Sequence, residues 1–281
     1  MKFIRTAIAV LFLTIITSPA ALAATSPTLV GSASYSALGG AGVTCTGSTT
    51  TTGAVGVSPG TSITGFPSPC SAGGGTHSND ASAIAAQADA LTTFGTLDQT
   101  CDHSYGAQDL TLLSPLGPGV YCSTSSFSLS GNLTLIGSGV WIFKTVSTLI
   151  TSSGSSVTGG DPCNVWWRIG SSTTLGTTTA FIGNVFSQNG VNAMSTGATL
   201  NGRFLALSAG TVTLDSNTIS GPTCTTSSSG GTSGSSPGSS PKLPNTGFGP
   251  SHHGNSSPWG TIILAATVVG GAYLIRKKRA I

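Results

Sequence analysis

The sequence predicts a mainly β fold, an irregular β-solenoid with one α-helix packed alongside. Three observations predict it. Short segments alternate polar and apolar residues at period two, as half-buried strands do. Gly and Ser-Gly steps separate these segments, where hairpins would carry Asn-Gly turns. One stretch alone carries a strong helical period. Strand, turn, strand without intervening helices is the pattern of a solenoid. No fixed repeat length is present, so the coils must be irregular. A β-sandwich is the alternative that alternation alone leaves open.

Taken in chain order, residues 1–23 read as a secretory signal peptide. Lys2 and Arg5 form its charged start, Ala7 to Ile16 its apolar centre, and Ala21-Leu22-Ala23 a small-residue cleavage site. The apolar run is short for a membrane span. One folded domain follows over 24–224, long enough for a single sizeable core. Its strand-like segments include Ser126–Ser130, Asn132–Leu135, Val140–Lys144 and Thr211–Asp215. The expected core comprises Ile142, Phe143, Val165, Trp167, Ile169, Phe181, Leu200, Leu205, Val212 and Leu214. Trp141 and Trp166 fall on the opposite parity and are expected to cover the helix or a cap.

The helix is expected over Asn79–Phe94. Ala81, Ile84, Ala85, Ala88 and Leu91 form an apolar stripe at helical spacing, Asn79 or Asp80 can cap its start, and Gly95 can end it. After the domain, residues 225–242 are rich in Ser, Gly, Thr and Pro and read as a flexible stalk. Residues 243–281 open on Leu243-Pro244-Asn245-Thr246-Gly247 and continue into an uncharged apolar stretch, 259–275. Arg276-Lys277-Lys278-Arg279 closes it. That stretch is at the lower limit for a membrane helix, with a basic cluster to hold its end in the cytoplasm.

Charge sharpens the picture. Only 6% of residues are charged, against about 25% in an average soluble protein. All seven acidic residues are Asp. Two of the ten basic residues lie in the leader and four in the tail, which leaves four against seven Asp. The formal +3 of the whole chain thus becomes −3 without those segments. A basic nucleic-acid interface is excluded. Paired catalytic carboxylates are scarce, and Asp102-His103 offers little as a catalytic pair. No phosphate loop or metal-ligand spacing appears, so no cofactor or metal is expected and catalysis is not.

Cys45, Cys70, Cys101, Cys122, Cys163 and Cys224 all lie in the exported part and lack Cys-x-x-Cys spacing, which favours disulfides over metal binding. Six cysteines allow fifteen connectivities. Nearest-neighbour pairing (45–70, 101–122, 163–224) is the expected one.

Several stretches resemble one family. Ala54–Phe66 (AVGVSPGTSITGF), the Ala- and Gln-containing helix after it, Pro118–Tyr121 (PGVY), Val140–Phe143 (VWIF), Cys163–Trp167 (CNVWW), Gly170–Gly176, Thr196–Arg203 (TGATLNGR) and Thr213–Asn217 (TLDSN) follow in order. Together they resemble the bacterial and fungal ice-binding protein family through about residues 29–219. The resemblance implies a right-handed solenoid of triangular section with the helix against one side and a flat face that meets ice. Phe186–Asn192 (FSQNGVN) departs from the family by placing Gln and Asn where small or Thr residues are common. The tail resembles the LPxTG sorting signal of sortase-anchored surface proteins. That implies cleavage between Thr246 and Gly247 and attachment to the cell envelope, with a membrane stop through 259–275 before processing.

Ice offers no charge to pair with and no pocket to fill. A surface recognises it by ordering water in nearly the same lattice. Thr suits this: its β-branch holds χ1 stiff on a strand, its methyl favours caged water, and its hydroxyl anchors that water. Strand spacing of about 4.8 Å and a same-face repeat of about 6.7 Å lie close to repeats in ice. The expected ice-binding residues are Thr46, Thr49, Thr148, Thr151, Thr174, Thr196 and Thr199, with Thr50, Thr52, Thr177 and Thr179 as further candidates. The partners expected are an ice surface, a sortase with the cell envelope, and a membrane through the tail. An adhesin for glycan or cell partners on the same scaffold is the alternative function.

Overall fold

The computed structural model describes residues 23–221 and Cys224. The leader up to residue 22, the stalk and the sorting segment lie outside the described residues. Within them the chain winds through short strands, and every strand pairing is parallel. Each coil visits three faces in turn. The first coil shows this with Tyr35–Gly39 on the first face, Gly42–Thr46 on the second and Thr50–Thr51 on the third. Ala54–Val57, Ser62–Thr64 and Ser71–Ala72 repeat the order. So do Trp141–Thr145, Leu149–Thr151 and Ser156–Gly159.

Coil order in space departs from chain order. The first coil pairs with the last: Ala37 lies opposite Phe204, Val43 opposite Val212, and Thr50 opposite Thr218. The chain therefore starts mid-stack and winds outward to one end at Thr76–Ser78. It crosses to the other end and winds back. The helix Ala81–Thr96 is that crossover. Eight strand pairings separate Thr76–Ser78 from His103–Tyr105, about 38 Å at 4.8 Å each. Sixteen helical residues supply about 24 Å at 1.5 Å each. Residues 97–102, extended, reach the remaining ~14 Å. The helix thus carries the chain along most of the stack while satisfying its own backbone hydrogen bonds.

The helix docks through a different stripe from the one its sequence suggests. Ala83, Ala86, Gln87, Ala90 and Phe94 are buried, whereas Ile84 and Leu91 are 52% and 46% exposed. In an Ala-rich helix both stripes are uncharged and apolar, so periodicity does not choose between them. Specific contacts do. Phe94 fills the seam beneath the Arg168 guanidinium, 4.2 Å from its ring centre. The Gln87 amide donates to the Ala206 carbonyl. Asp80 caps the start by accepting from the Ala83 N–H. Gly95 lies within the last turn, and the helix ends at Leu97. Asp89 accepts from the N–H groups of Val30 and Ser32 and from the Ser32 hydroxyl, which ties the N-terminal segment to the helix.

The solenoid interior is built from inward residues of all three faces. Tyr121, Phe143, Trp167 and Phe181 stack through successive coils, with ring centres 5.4, 4.2 and 4.7 Å apart. Every expected core residue is buried. The first face is buried on both sides, so its outward residues form a second core. Ile142, Trp166, Phe186 and Leu205 pack under the helix, while Trp141 points into the solenoid and donates to the Leu116 carbonyl. Two strands, Ala180–Ser187 and Thr199–Ala206, run from the third face onto the first without a break. They bend at the paired Gly183 and Gly202, where a Cβ on Gly202 would meet the Gly183 carbonyl oxygen at 1.8 Å. Disulfides join Cys45 to Cys70, Cys101 to Cys122, and Cys163 to Cys224.

Candidate functional site

Most of the charge is set away from the second and third faces. Asp80 caps the start of the helix, Asp89 lies on it and Asp98 just past its end. Lys144 and Arg168 reach from the first face to Asp98, at 2.8 and 3.6 Å. The hydrogen bond from Lys144 holds the Asp98 carboxyl below the usual carboxylate range, with Arg168 adding to it. Arg203 is buried behind the N-terminal segment, donating to the Ala33 carbonyl and the Asn184 side chain. Asp102 accepts from the Val120 N–H, and the His103 ring stacks on Tyr121 at 4.9 Å. Both are therefore engaged at the end of the solenoid.

The second face is a single parallel sheet of eight strands in unbroken order. Inward residues alternate strictly with outward ones, as in Val43 and Cys45 against Gly42, Thr44 and Thr46. Register aligns the outward residues into columns. The central column runs Thr64, Thr44, Thr213, Ala193, Thr174, Ile150, Ser128. Beside it Ser62, Gly42, Thr211 and Val191 align in a second column. Among the described residues, the hydroxyls of Thr44, Thr64, Thr174, Thr211 and Thr213 take no intramolecular hydrogen bond, which leaves them to water. Two carboxylates touch this face, and both sit at its margins. Asp109 is at the far end of the stack. Asp215 is on the edge column and accepts from the Thr196 hydroxyl.

The seven expected threonines divide among several places. Thr174 lies in the central column and Thr148 beside it, both partly exposed. Thr46 is on the edge column, its hydroxyl donating to the Leu214 carbonyl. Thr196 is exposed at the corner between the second and third faces, and Thr199 is exposed on the third. Thr49 and Thr151 are corrections, as both are buried and point inward. Thr49 accepts from the Asn217 N–H, and Thr151 bonds Thr179 and accepts from the Gly176 N–H. Each corner turns a chain through buried backbone, and these hydroxyls satisfy its polar groups. Thr179, among the further candidates, is buried in the same cluster. The two Thr-Gly-x-Thr stretches also differ in register. Thr199 pairs with Thr218, which pairs with Thr50, so Thr199 matches the residue after Thr49. A one-residue slip turns the side chain to the other side of the sheet.

Thr44, Thr64, Thr211 and Thr213 were absent from the expected set, yet they are central. Their signal was present in the strands themselves: GVTCT and TVTLD place Thr between core residues at period two. The FSQNGVN stretch also resolves. Gln188 and Asn189 lie in an exposed turn, off the face. Asn192 is buried, accepting from the Thr173 N–H and donating to the Leu205 carbonyl. Val191 and Ala193 take the outward positions.

These features define a class: a parallel β-solenoid with a helical crossover and a long, exposed, nearly charge-free sheet. Comparison with known proteins narrows it. The family model described as "Ice-binding-like" matches residues 37–220, and the chain belongs to that family. A protein of Nostoc sp. (strain HG1) named ice-binding protein is 41% identical over 209 residues, 70% of this chain and 75% of that one. An ice-binding protein of Flavobacterium frigoris (strain PS1) is 40% identical over 112 residues, 38% of this chain and 40% of that one. Among solved structures, an ice-binding protein from an Antarctic biological consortium superposes with TM-score 0.65 at 35% identity. The match covers 71% of this chain and 93% of that one. One from the Antarctic ascomycete Antarctomyces psychrotrophicus gives 0.63 at 36%, covering 70% and 98%.

Proposed function

We propose that the protein adsorbs to ice through its second face. The observation that carries this is the eight-strand sheet whose interior presents Thr, Ser, Ala, Gly, Val and Ile and no charge. Column spacing of about 4.8 Å, and about 6.7 Å along each strand, orders water on a lattice near that of ice. Free hydroxyls anchor that water, and methyl groups of Thr, Ala193 and Ile150 hold it in cages. The disulfides and stacked core keep the columns in register. No reaction is needed, since adsorption alone stops or redirects crystal growth. Growth of a single ice crystal in protein solution tests the reading. Faceting with a gap between melting and growth temperatures supports it, and a round, freely growing crystal refutes it.

The same reading makes the protein an exported one held at the cell surface. The leader over 1–23 and the Leu243-Pro244-Asn245-Thr246-Gly247 signal, with the apolar stretch 259–275 and basic end, support it. Tethered there, the protein holds ice to the cell or shields the envelope. Incubation with a sortase and a triglycine amine tests the attachment. Transfer to Thr246 with release of residues 247–281 supports it, and an uncut chain refutes it.

A further inference from the structure

We infer that the third face is a second ice-adsorbing surface, so that the protein takes hold of two sets of crystal planes. The inference rests on the ice-binding reading of the second face. It stands on a separate set of residues.

Register on the third face builds its own column. Ser71 lies opposite Thr50, Thr50 opposite Thr218, Thr218 opposite Thr199, and Thr199 opposite Ala180. All five are exposed. Three adjacent rungs are thus Thr, as many as Thr64, Thr44 and Thr213 supply on the second face. Among the described residues, the hydroxyls of Thr50, Thr199 and Thr218 take no intramolecular hydrogen bond. Every strand of this face lacks charge on its outward side, from Ser71–Ala72 through Asn132–Leu135. A surface with that little charge is unusual even here, because the first face carries Lys144 and Arg168 and the second has Asp215 on its edge.

The column has a definite extent. Beyond Ala180, Asn132 accepts hydrogen bonds from Ser156 and Thr158, so the polar groups at that end satisfy one another. The water-facing part is the five rungs from Ser71 to Ala180, about 19 Å long. β-Branched Thr on adjacent parallel strands holds its rotamer, so methyl and hydroxyl repeat in the same orientation along the column. The third face meets the second at the 195–199 corner. The faces slope away from that corner, so a flat crystal plane touches one face at a time. Each face therefore selects its own planes.

Adsorption of dye-labelled protein to a single-crystal ice hemisphere tests the inference, with circular dichroism to show each variant folded. The second-face variant is Thr213→Asp, and the third-face variants are Thr218→Asp and Thr199→Asp. The wild type is expected to label two sets of planes. Thr213→Asp keeps one set, each third-face variant keeps the other, and Thr213→Asp with Thr218→Asp labels none. The inference is overturned if Thr213→Asp alone abolishes labelling, or if both third-face variants label the same planes as the wild type. A hemisphere unlabelled by the wild type overturns the ice-binding reading itself, and this inference with it.

Discussion

Thr213→Asp puts a charge into the middle of the second face. Thr213 is exposed on the third of eight rungs, between Thr44 and Ala193. The eight rungs span about 34 Å at 4.8 Å spacing. A carboxylate binds its own hydration shell and spoils the lattice match on its rung and on the rungs either side, each about 4.8 Å away. Asp109 already occupies the eighth rung, so the longest charge-free run left falls to three rungs, Thr174, Ile150 and Ser128, about 10 Å. Losing only about 1.4 kcal/mol of adsorption free energy lowers the equilibrium about tenfold. The fold should not notice, because an exposed substitution away from special features changes stability within about 0.5 kcal/mol. Ala88→Asp, on the exposed side of the helix, adds the same charge away from both proposed faces. The assay is partitioning into a slowly growing ice hemisphere, with melting curves in parallel. Thr213→Asp should drop several-fold in the ice fraction while Ala88→Asp matches the wild type. Equal partitioning of Thr213→Asp and wild type, with both folded, would refute the reasoning.

Other predictions address the scaffold and the face. Phe94→Ala empties the seam between helix and first face and should cost about 3–5 kcal/mol by urea titration. Replacing Cys163 and Cys224 together by Ser opens a loop with a sequence separation of 61 and should cost up to about 4 kcal/mol by the chain-entropy account. Both are checked by denaturation midpoints. Asp98 has its folded pKa lowered by Lys144, so its contribution to stability is present above the unfolded carboxylate pKa and is lost as pH falls through the folded one. Asp98→Asn should therefore flatten the acid limb of a stability-against-pH curve and leave neutral-pH ice adsorption unchanged. Ala193→Thr would make the central column Thr over five consecutive rungs, from Thr64 to Thr174. Ice-growth inhibition at fixed concentration should rise, and a fall would count against the column geometry.

The interior was legible because period-two alternation places core and surface residues on opposite sides of each strand. Val43, Val212 and Leu214 follow it without exception, and the columns of outward Thr follow from the same rule. Corners were not legible. Left-handed residues such as Gly47 and Ser216 reset the alternation there, so Thr49 and Thr151 turned inward where a Thr-rich reading placed them outward. The helix was visible but its buried stripe was not, because Ile84 and Leu91 look as suited to burial as Ala83 and Ala90. Phe94 and Gln87 decided the matter through contacts distant in sequence. Register between distant coils was equally hidden: nothing local pairs Thr50 with Thr218 or Thr44 with Thr213. The columns that make a face exist only once the first coil is laid against the last.

The central claim is that this charge-poor solenoid adsorbs to ice. Ice-affinity partitioning of the purified domain, residues 24–224, against a similar-sized protein without ice affinity tests it most directly. Enrichment in the ice fraction is the predicted result, and exclusion from ice to the same degree as the control would contradict the account.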